Sequence, residues 1–338
     1  MAVTDLLLVS QAEVPGLLPM DECMNVMADA LASLARGETQ LPLRSILWLP
    51  ERIGAFALMP GALNKDKVVG AKVVTFFYGN QGTDLDAHQG AVLLFEAERG
   101  RLLAVIDATS ITAIRTAAVS GVATRLLARQ DADELALVGS GVQAQSHLEA
   151  MRHARPIRKV RVASKDFASA RRFAERESKR QGVEIEPVRS AREAVRGAGI
   201  VCTVTTSLEP VVLGDWLEPG MHLNVVGSST PAGREIDTAG VVRSRLYVDR
   251  RESTLNESGE FLAAKKEGAI GDDHIRGEIG EILIGKTAGR RAADEITMFK
   301  SLGLAVEDVA SARHIYEKAK ASGRGRFIPF GGSRDAPD

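Results

Sequence analysis

"LALVGSGVQAQSH" (residues 135–147) is the stretch that decides the fold, because its apolar run breaks into small residues at a fixed spacing. An apolar strand that runs through Gly-x-Gly-x-x-Ala into a helix is typical of a loop that holds a dinucleotide. Gly139 permits the tight turn, Gly141 lets a pyrophosphate approach the backbone, and Ala144 lets helix and strand pack closely. A tight structural turn without a ligand is the alternative interpretation of the same residues.

The segments around this loop alternate between strand and helix. The runs that predict strands are "ELALVG", "KVRVAS", "EIEPV", "IVCTVTT", "HLNVVGS" and "RLYVD". Helical segments separate several of them, as in "DFASARRFAERESKRQG" and "AREAVRGAG". Because such alternation needs crossover helices on a parallel sheet, residues 129–304 are predicted to form a doubly wound, Rossmann-type α/β domain.

The residues before this domain have a different pattern. Between residues 44 and 107 the β-rich runs are broken by Gly, Asn and Asp, with a hairpin turn expected near Arg99–Gly100. Residues 1–128 are therefore predicted to form an α+β domain. The last helix, within about 305–338, is expected to pack back onto it.

Two helices are predicted in this first domain. One covers residues 21–36 and is expected to be capped by Asp21. The other covers residues 110–128, with a cap near Thr109 or Ser110.

Length and charge narrow the class of protein. The chain has 338 residues and a formal net charge of −1, so two domains of roughly 100–200 residues are expected. The balanced charge argues against nucleic acid or an anionic membrane as a partner. No apolar run reaches the roughly 18 residues of a membrane span, and the N-terminal residues lack a signal-peptide pattern. Two cysteines fit neither a disulfide framework nor a zinc site, so we expect buried free thiols and a cytoplasmic protein.

The end of the strand "KVRVAS" bears on the choice of cofactor. Ser164 and Lys165 stand where NAD-selective folds usually carry an acidic residue that binds the ribose diol. A hydroxyl and a cation suit a 2′-phosphate, which favours NADP over NAD. Asp166 is close enough to leave NAD open, and a plain surface lysine is the other interpretation.

Small or hydroxyl residues also end two later strands. In a doubly wound sheet the ligand lies outside the carboxyl ends of the strands. The candidates for the cofactor wall are Thr205, Thr206, Val226 and Gly227. Capping of the following helices is the alternative role for each of them.

Three cations lie in otherwise apolar or small-residue stretches of the first domain. They are Arg44 in "LPLRSILWL", Lys72 in "VVGAKVVTF" and Arg115 in "TAIRTAAVS". A charge in such surroundings is costly unless it is paired. Three together favour a clamp for a substrate carboxylate, with paired structural residues as the alternative. His88 could add a hydrogen bond.

At this point the chain is identified as similar to the ornithine cyclodeaminase/μ-crystallin family over nearly its whole length. The stretches that carry the resemblance include "AHQGAVLLFEAERGRLLAVIDATSITAIRTAAVSGVAT", "VGSGVQAQSH", "TVTTSLEPVVLGDWLEPGMHLNVVGSSTPAGREID" and "FKSLGLAVEDVASARHIY". The resemblance implies a homodimer, a Rossmann domain, and a first domain that binds the substrate and forms the dimer.

Site residues follow from the resemblance where the motifs match. It implies that Arg44, Lys72 and Arg115 hold the substrate carboxylate and that Gly139, Gly141, Val142 and Gln143 form the nucleotide loop. Ser164 and Lys165 match the ribose side, Ser301 and Leu302 match a segment near the nicotinamide, and Glu257 matches an acidic residue near the site. Ser229, in "GSSTP", stands where cyclodeaminases carry an aspartate.

This departure favours one branch, because a serine cannot act as the same carboxylate base. We therefore expect an NAD(P)H-dependent reductase of cyclic ketimines that carry a carboxylate, nearer to the μ-crystallin (ketimine reductase) branch. Lys72 is expected to touch the carboxylate and supply the proton, with Glu257 or a water as the other proton route. Alternatives are an amino-acid dehydrogenase of the alanine type, an ornithine cyclodeaminase, or a non-catalytic, NADP-dependent binder of a small ligand.

Overall fold

The structure is a computed structural model and describes residues 5–80 and 83–331. It divides into two compact units, residues 1–115 with 304–338, and residues 116–303. The division falls inside the third helix and not at its end near residue 128, where the sequence analysis put it. The roles predicted for the two domains stay predictions.

The elements are numbered in chain order. The strands are β1 Asp5–Val9, β2 Thr39–Gln40, β3 Ser45–Trp48, β4 Ala55–Leu63, β5 Val68–Phe76, β6 His88–Glu96, β7 Leu102–Asp107, β8 Glu134–Val138, β9 Lys159–Ala163, β10 Ile185–Pro187, β11 Ile200–Thr203, β12 His222–Val225, β13 Arg245–Val248, β14 Ile275–Glu278, β15 Thr297–Lys300 and β16 Arg326–Pro329. The helices are α1 Val14–Leu17, α2 Met20–Ala35, α3 Ala108–Leu127, α4 Val142–Ala154, α5 Phe167–Gln181, α6 Ala191–Val195, α7 Thr238–Arg243, α8 Arg251–Glu257, α9 Gly259–Lys266, α10 Ile279–Leu283 and α11 Ala305–Ser322.

The first unit is built on one mixed sheet. Its strand order is β16-β1-β7-β6-β5-β4-β2, with β3 paired to β4, and the β1–β7 pair is parallel while the others are antiparallel. Helix α11 packs on one face, because glycines leave room for it. A Cβ added at Gly61 would lie 3.1 Å from Cβ of Ala305, and one at Gly70 would lie 3.1 Å from Val309.

Two predicted helix caps in this unit are wrong. Pro19 occupies the N-cap position of α2, and Asp21 lies in the first helical turn. Helix α3 begins at Ala108, and its first turn is capped by Asp107, whose Oδ1 accepts the Ser110 N–H at 2.8 Å. The helices themselves are confirmed, and so is the hairpin, where Gly100 adopts a φ of 75°. Both caps lie two or three residues earlier than expected, because the apolar period alone does not show where a helix begins.

The second unit is built on a parallel sheet with the order β10-β9-β8-β11-β12-β15-β13-β14. All strands run in the same direction, but the order in which the chain adds them across the sheet reverses at β8, which has β9 on one side and β11 on the other. This is the doubly wound Rossmann-type arrangement that the sequence predicts. Its apolar side chains form a contiguous core that includes Val201, Leu223, Val225 and Met298. In such sheets a dinucleotide lies across the reversal, at the carboxyl ends of the strands.

Three features of the described residues concern membrane spans, metal ions and cysteines. Across residues 5–80 and 83–331 no helix is long and apolar enough to cross a membrane. The same residues contain no cluster of three His, Cys, Asp or Glu side chains that could hold a metal ion. Cys23 and Cys202 are both free and buried, as predicted.

Candidate functional site

The loop between β8 and α4 has the geometry of a dinucleotide loop. Gly139 adopts a φ of 117°, and a Cβ there would lie 2.7 Å from the carbonyl oxygen of Val204. Only glycine meets both conditions. A Cβ added at Gly141 would meet no heavy atom within 4 Å, so the space beside it is open to a ligand.

The first turn of α4 differs from those of neighbouring helices. Side chains cap α5, α6 and α7, through Asp166, Ser190 and Asp237. At α4 the N-cap residue is Gly141, which has no side chain to accept from the helix N–H groups. These donors and the helix dipole favour an anion. The loop therefore fits the pyrophosphate of a dinucleotide, with Val142 60% exposed at the first helical position.

The ribose-side residues lie at the end of β9. The Ser164 and Ser140 hydroxyl oxygens are 2.8 Å apart, and the Lys165 side chain is exposed. Asp166 accepts from the N–H and hydroxyl of Ser169 at 2.7 and 2.8 Å. Because its carboxylate caps α5, Asp166 is engaged in helix structure.

The predicted wall residues meet at the ends of β11 and β12. Thr205 and Gly227 are joined by Glu235, which the sequence analysis missed. Thr206 is exposed beside them, and Val226 is buried. An acidic residue in "GREID" was the available signal, but nothing local shows that its carboxylate folds back to the strand ends.

The segment after β15 is held by its backbone. The Ser301 N–H donates to the Val225 carbonyl at 3.0 Å, and the Leu302 N–H donates to Asp249 at 2.6 Å. Both side chains are buried. Ser301 thus lies beside the end of β12.

Two further predicted residues belong to the second unit. Ser229 is half-buried in the loop after β12. Glu257 is the last residue of α8, followed by Ser258, whose side chain caps α9. The structure does not test the proton-supply role predicted for Glu257, which stays a prediction.

The first unit brings Lys72 and Arg115 together and pairs both with acids, and their role as a carboxylate clamp stays a prediction. Both are buried, at 2% and 4% exposure. Asp308 joins them, since its Oδ2 forms an ion pair with Lys72 Nζ at 2.9 Å and its Oδ1 accepts from Arg115 Nε at 3.0 Å. Arg115 Nη1 also donates to Glu307 Oε2 at 2.8 Å. We call Lys72, Arg115, Glu307 and Asp308 the buried quartet.

Residues from β5, α3 and α11 form the quartet. In β5 every second residue is buried, which puts Lys72 on the face that receives α11 together with Gly70 and Val74. The first turn of α11 supplies Glu307 and Asp308, both fully buried. Sequence reasoning missed these two acids. Two adjacent acids inside the apolar run "GLAVEDVASA" indicate that these acids are buried and paired with cations.

Charge and burial oppose each other at Lys72. Burial lowers the pKa of Lys72, Asp308 raises it, Arg115 and Arg44 lower it, and the result is a pKa of about 8. Burial also raises the pKa of Asp308, but Arg115 and Lys72 outweigh it and keep that pKa below its usual range. The four charges of the quartet sum to zero. Arg44, half-buried between β2 and β3, adds a further cation close enough to act on Lys72.

His88 lies on the same sheet face. It pairs with Phe76 across β5 and β6, with ring centroids 4.8 Å apart at 74°. Burial, and then the charges of Lys72 and Arg115, lower the pKa of His88 to about 4. The imidazole is therefore neutral at pH 7, where it can donate or accept a hydrogen bond but cannot add charge to a carboxylate site.

The chain is similar to several proteins of known activity over most of its length. The chain is 38% identical to the mouse (Mus musculus) ketimine reductase mu-crystallin over 291 residues, which cover 85% of this chain and 89% of that protein. The structure of Thermococcus litoralis Δ1-pyrroline-2-carboxylate reductase with NADH and L-proline matches at a TM-score of 0.93 and 39% identity, over 95% of this chain and all of that chain. An archaeal alanine dehydrogenase dimer with bound NAD matches at 0.91 and 33%, over 97% of this chain and 100% of that one.

A family model also matches this chain, and it covers more residues than the alignment with the mouse protein does. The model of the ornithine cyclodeaminase/mu-crystallin family matches residues 4–323. This range includes the nucleotide loop, the buried quartet and the predicted cofactor-wall residues at the ends of β11 and β12. The chain belongs to the ornithine cyclodeaminase/mu-crystallin family.

Proposed function

We propose that the protein is an NAD(P)H-dependent reductase of cyclic ketimines that carry a carboxylate. The substrates are Δ1-pyrroline-2-carboxylate and Δ1-piperideine-2-carboxylate, and the products are proline and pipecolate. The observation that carries the proposal is the buried quartet, which sets a lysine of lowered pKa beside an arginine. Relatives named as ketimine and pyrroline-2-carboxylate reductases support it.

The cofactor supplies a hydride to the imine carbon, and the protein supplies orientation and a proton. Arg44 and Arg115 bind the substrate carboxylate, because a guanidinium can donate two parallel hydrogen bonds to it. Lys72 gives a proton to the imine nitrogen. Its pKa of about 8 keeps it protonated at pH 7 and still close to the pH at which it must release that proton. Glu257 or a water is the alternative proton source.

Asp308 has a positioning role in this scheme. Its two oxygens hold the Lys72 ammonium and the Arg115 guanidinium at fixed points. Its negative charge also opposes the loss of the Lys72 proton that burial would otherwise cause.

NADP is the proposed preferred cofactor. Lys165 is exposed at the end of β9, and Asp166 is engaged in capping α5. A lysine favours the 2′-phosphate of NADP, whereas selection of NAD needs a carboxylate that accepts from the ribose diol.

We further propose that the protein works as a homodimer formed by the first unit. The outer face and edge of its sheet expose large apolar side chains, which are Leu47 63%, Trp48 42%, Phe56 39%, Leu58 38% and Val69 38%. A patch of this kind marks an interaction surface. The archaeal alanine dehydrogenase is described as a dimer, which favours a second copy of the chain as the occupant.

Sedimentation velocity tests the dimer. Leu58→Glu is expected to shift the protein to monomer, because it puts a charge into the apolar face. Val242→Glu is the matched control, since Val242 is a comparably exposed apolar residue (46%) of the second unit. A Leu58→Glu protein that stays dimeric would contradict this interface.

We also propose that the protein lies in the cytoplasm, because two free, buried cysteines suit a reducing compartment.

The reductase proposal is tested by following NADPH absorbance with each cyclic ketimine, with NADH in parallel. Rapid NADPH oxidation without release of ammonia from L-ornithine is the expected result. Ornithine turnover with no activity on the imines would overturn the proposal. It would also mean that another group replaces the aspartate whose place Ser229 occupies.

An amino-acid dehydrogenase is the second candidate. The archaeal alanine dehydrogenase, 33% identical, is the observation that favours it. Oxidation of NADPH or NADH with pyruvate and ammonium, at a higher kcat/KM than with the cyclic imines, would establish this activity instead.

A further inference from the structure

One buried carboxylate in the second unit joins the ends of two neighbouring strands. Glu235 follows the loop after β12 and is fully buried. Its oxygens accept four hydrogen bonds, from Thr203 Oγ1 at 2.8 Å, Thr205 N at 2.6 Å, Thr205 Oγ1 at 2.7 Å and Gly227 N at 2.7 Å. Thr203 and Thr205 belong to the β11 end, and Gly227 belongs to the β12 end.

The chemistry of these contacts calls for a carboxylate. An ionised glutamate only accepts hydrogen bonds, and each of its oxygens here receives one backbone N–H and one hydroxyl. A glutamine of the same shape would turn an NH2 group toward two of these donors. The strand ends are also in close contact, since a Cβ added at Gly227 would lie 2.0 Å from the Thr205 carbonyl oxygen.

A buried ion pair between Lys300 and Glu260 lies next to Glu235. Lys300 Nζ lies 3.0 Å from Glu260 Oε2 and donates to the Ser228 carbonyl at 2.5 Å. Glu260 Oε1 accepts the Glu235 N–H at 2.9 Å. All three charged side chains are buried. Burial raises the pKa of Glu235, and the Lys300 charge together with the Thr203 and Thr205 hydrogen bonds offsets that rise only in part.

The position of the cluster in the sheet indicates its role. β11 and β12 lie on the opposite side of β8 from β9. A dinucleotide crosses a doubly wound sheet at this reversal, with one mononucleotide on each half. The end of β9 faces the adenosine half, so the ends of β11 and β12 face the nicotinamide half.

We propose that Glu235 is a positioning residue that holds the β11 and β12 strand-end loops in the geometry that receives the nicotinamide half of the cofactor. The inference rests on the proposed NAD(P)H dependence. Glu235 lies behind the loop surface and acts through the Thr205 and Gly227 backbone.

The test compares binding of a whole cofactor with binding of half of it. NADPH binding is followed by its fluorescence, and binding of 2′,5′-ADP, which contains only the adenosine half, is followed by calorimetry. Glu235→Gln is expected to raise the Kd of NADPH at least about ten-fold, because two donors lose a charged acceptor, and to leave the Kd of 2′,5′-ADP within about two-fold. Glu177→Gln, which alters a fully buried carboxylate on α5, is the matched control and should change neither.

The outcomes separate this inference from the proposed function. Equal weakening of both ligands by Glu235→Gln, or weakening of neither, would overturn the positioning role. Failure of the unaltered protein to bind NADPH would overturn the proposed function instead. If Glu235→Gln does not fold, Thr203→Val decides, since it removes one donor with little change of shape. A rise of the NADPH Kd of roughly three-fold or more, with unchanged 2′,5′-ADP binding, supports the inference, and an unchanged NADPH Kd overturns it.

Discussion

The nucleotide loop and the buried quartet, the two anion sites that we propose, are built in opposite ways. The loop uses backbone N–H groups at an exposed helix start, and the conditions it imposes fall on Gly139 and Gly141, two residues apart. The quartet uses buried side chains, and Arg115 and Asp308 are 193 residues apart in the chain. A site built from backbone is therefore visible in a short stretch of sequence, whereas a site built from paired charges depends on distant partners.

The largest effect is expected from a substitution of Lys72, which disrupts the buried quartet. Lys72→Met removes the proposed proton donor and leaves Asp308 with one cation in place of two. We expect kcat for ketimine reduction to fall by roughly 10²- to 10⁴-fold.

The control for this change is Lys67→Met, which alters an exposed lysine just before β5 that is paired with Glu98. Its kcat should equal that of the unaltered protein. Retention of full turnover by Lys72→Met would remove the proton-supply role from Lys72 and leave Glu257 or a water in its place.

Two glycine variants separate folding from binding in the nucleotide loop. Gly139→Ala is expected to lower the free energy of unfolding by about 1–3 kcal/mol, because of its φ of 117° and the contact with the Val204 carbonyl. Gly141→Val meets open space, so its Tm should stay unchanged, while the Kd of NADPH rises at least about ten-fold. Unchanged NADPH binding in Gly141→Val, measured by fluorescence, would show that no pyrophosphate lies against Gly141.

Asp308→Asn tests whether the Asp308 charge controls the pKa of Lys72. If protonated Lys72 is the acid, kcat falls as pH rises through its pKa of about 8. Because the Asp308 charge raises the pKa of Lys72, its removal moves this fall to lower pH. A pH profile of kcat from pH 5.5 to 9.5 measures the shift.

The comparison variant is Glu307→Gln, since Glu307 pairs with Arg115 and leaves the Lys72–Asp308 pair intact. We expect this variant to raise the KM of the carboxylate substrate and to keep the fall in kcat near pH 8. Identical pH profiles for Asp308→Asn and the unaltered protein would contradict the role of Lys72 as the titrating acid.

The smallest expected effect concerns the choice between cofactors. Lys165→Ala should raise the KM of NADPH several-fold, as for one exposed charge pair of about 1 kcal/mol or less, and leave the KM of NADH unchanged. Lys179→Ala, on the exposed last turn of α5, is the control. A parallel change of both KM values would show that Lys165 does not recognise the 2′-phosphate.

Much of the fold could be predicted because its signals are local. Strand–helix alternation and Gly-x-Gly-x-x-Ala predicted a doubly wound parallel sheet, which is confirmed, and the structure adds that the strand order reverses at β8. The predicted helix caps differ from the observed ones by two or three residues, since a cap can depend on one hydrogen bond, such as the one from Ser110 to Asp107. The cations Lys72 and Arg115 were also visible as charges in apolar runs.

The sequence by itself determined which groups are present: a loop that leaves room for a pyrophosphate, three cations in apolar surroundings, and a serine where cyclodeaminases have an aspartate. Only the tertiary structure decided how these groups are charged and held. Asp308 reaches Lys72 because α11 returns to the sheet of the first unit, and Glu235 reaches Thr205 and Gly227 because its chain turns back over two strand ends. The physical reason is that burial makes a charge depend on its partners, and folding alone brings distant partners within hydrogen-bonding distance.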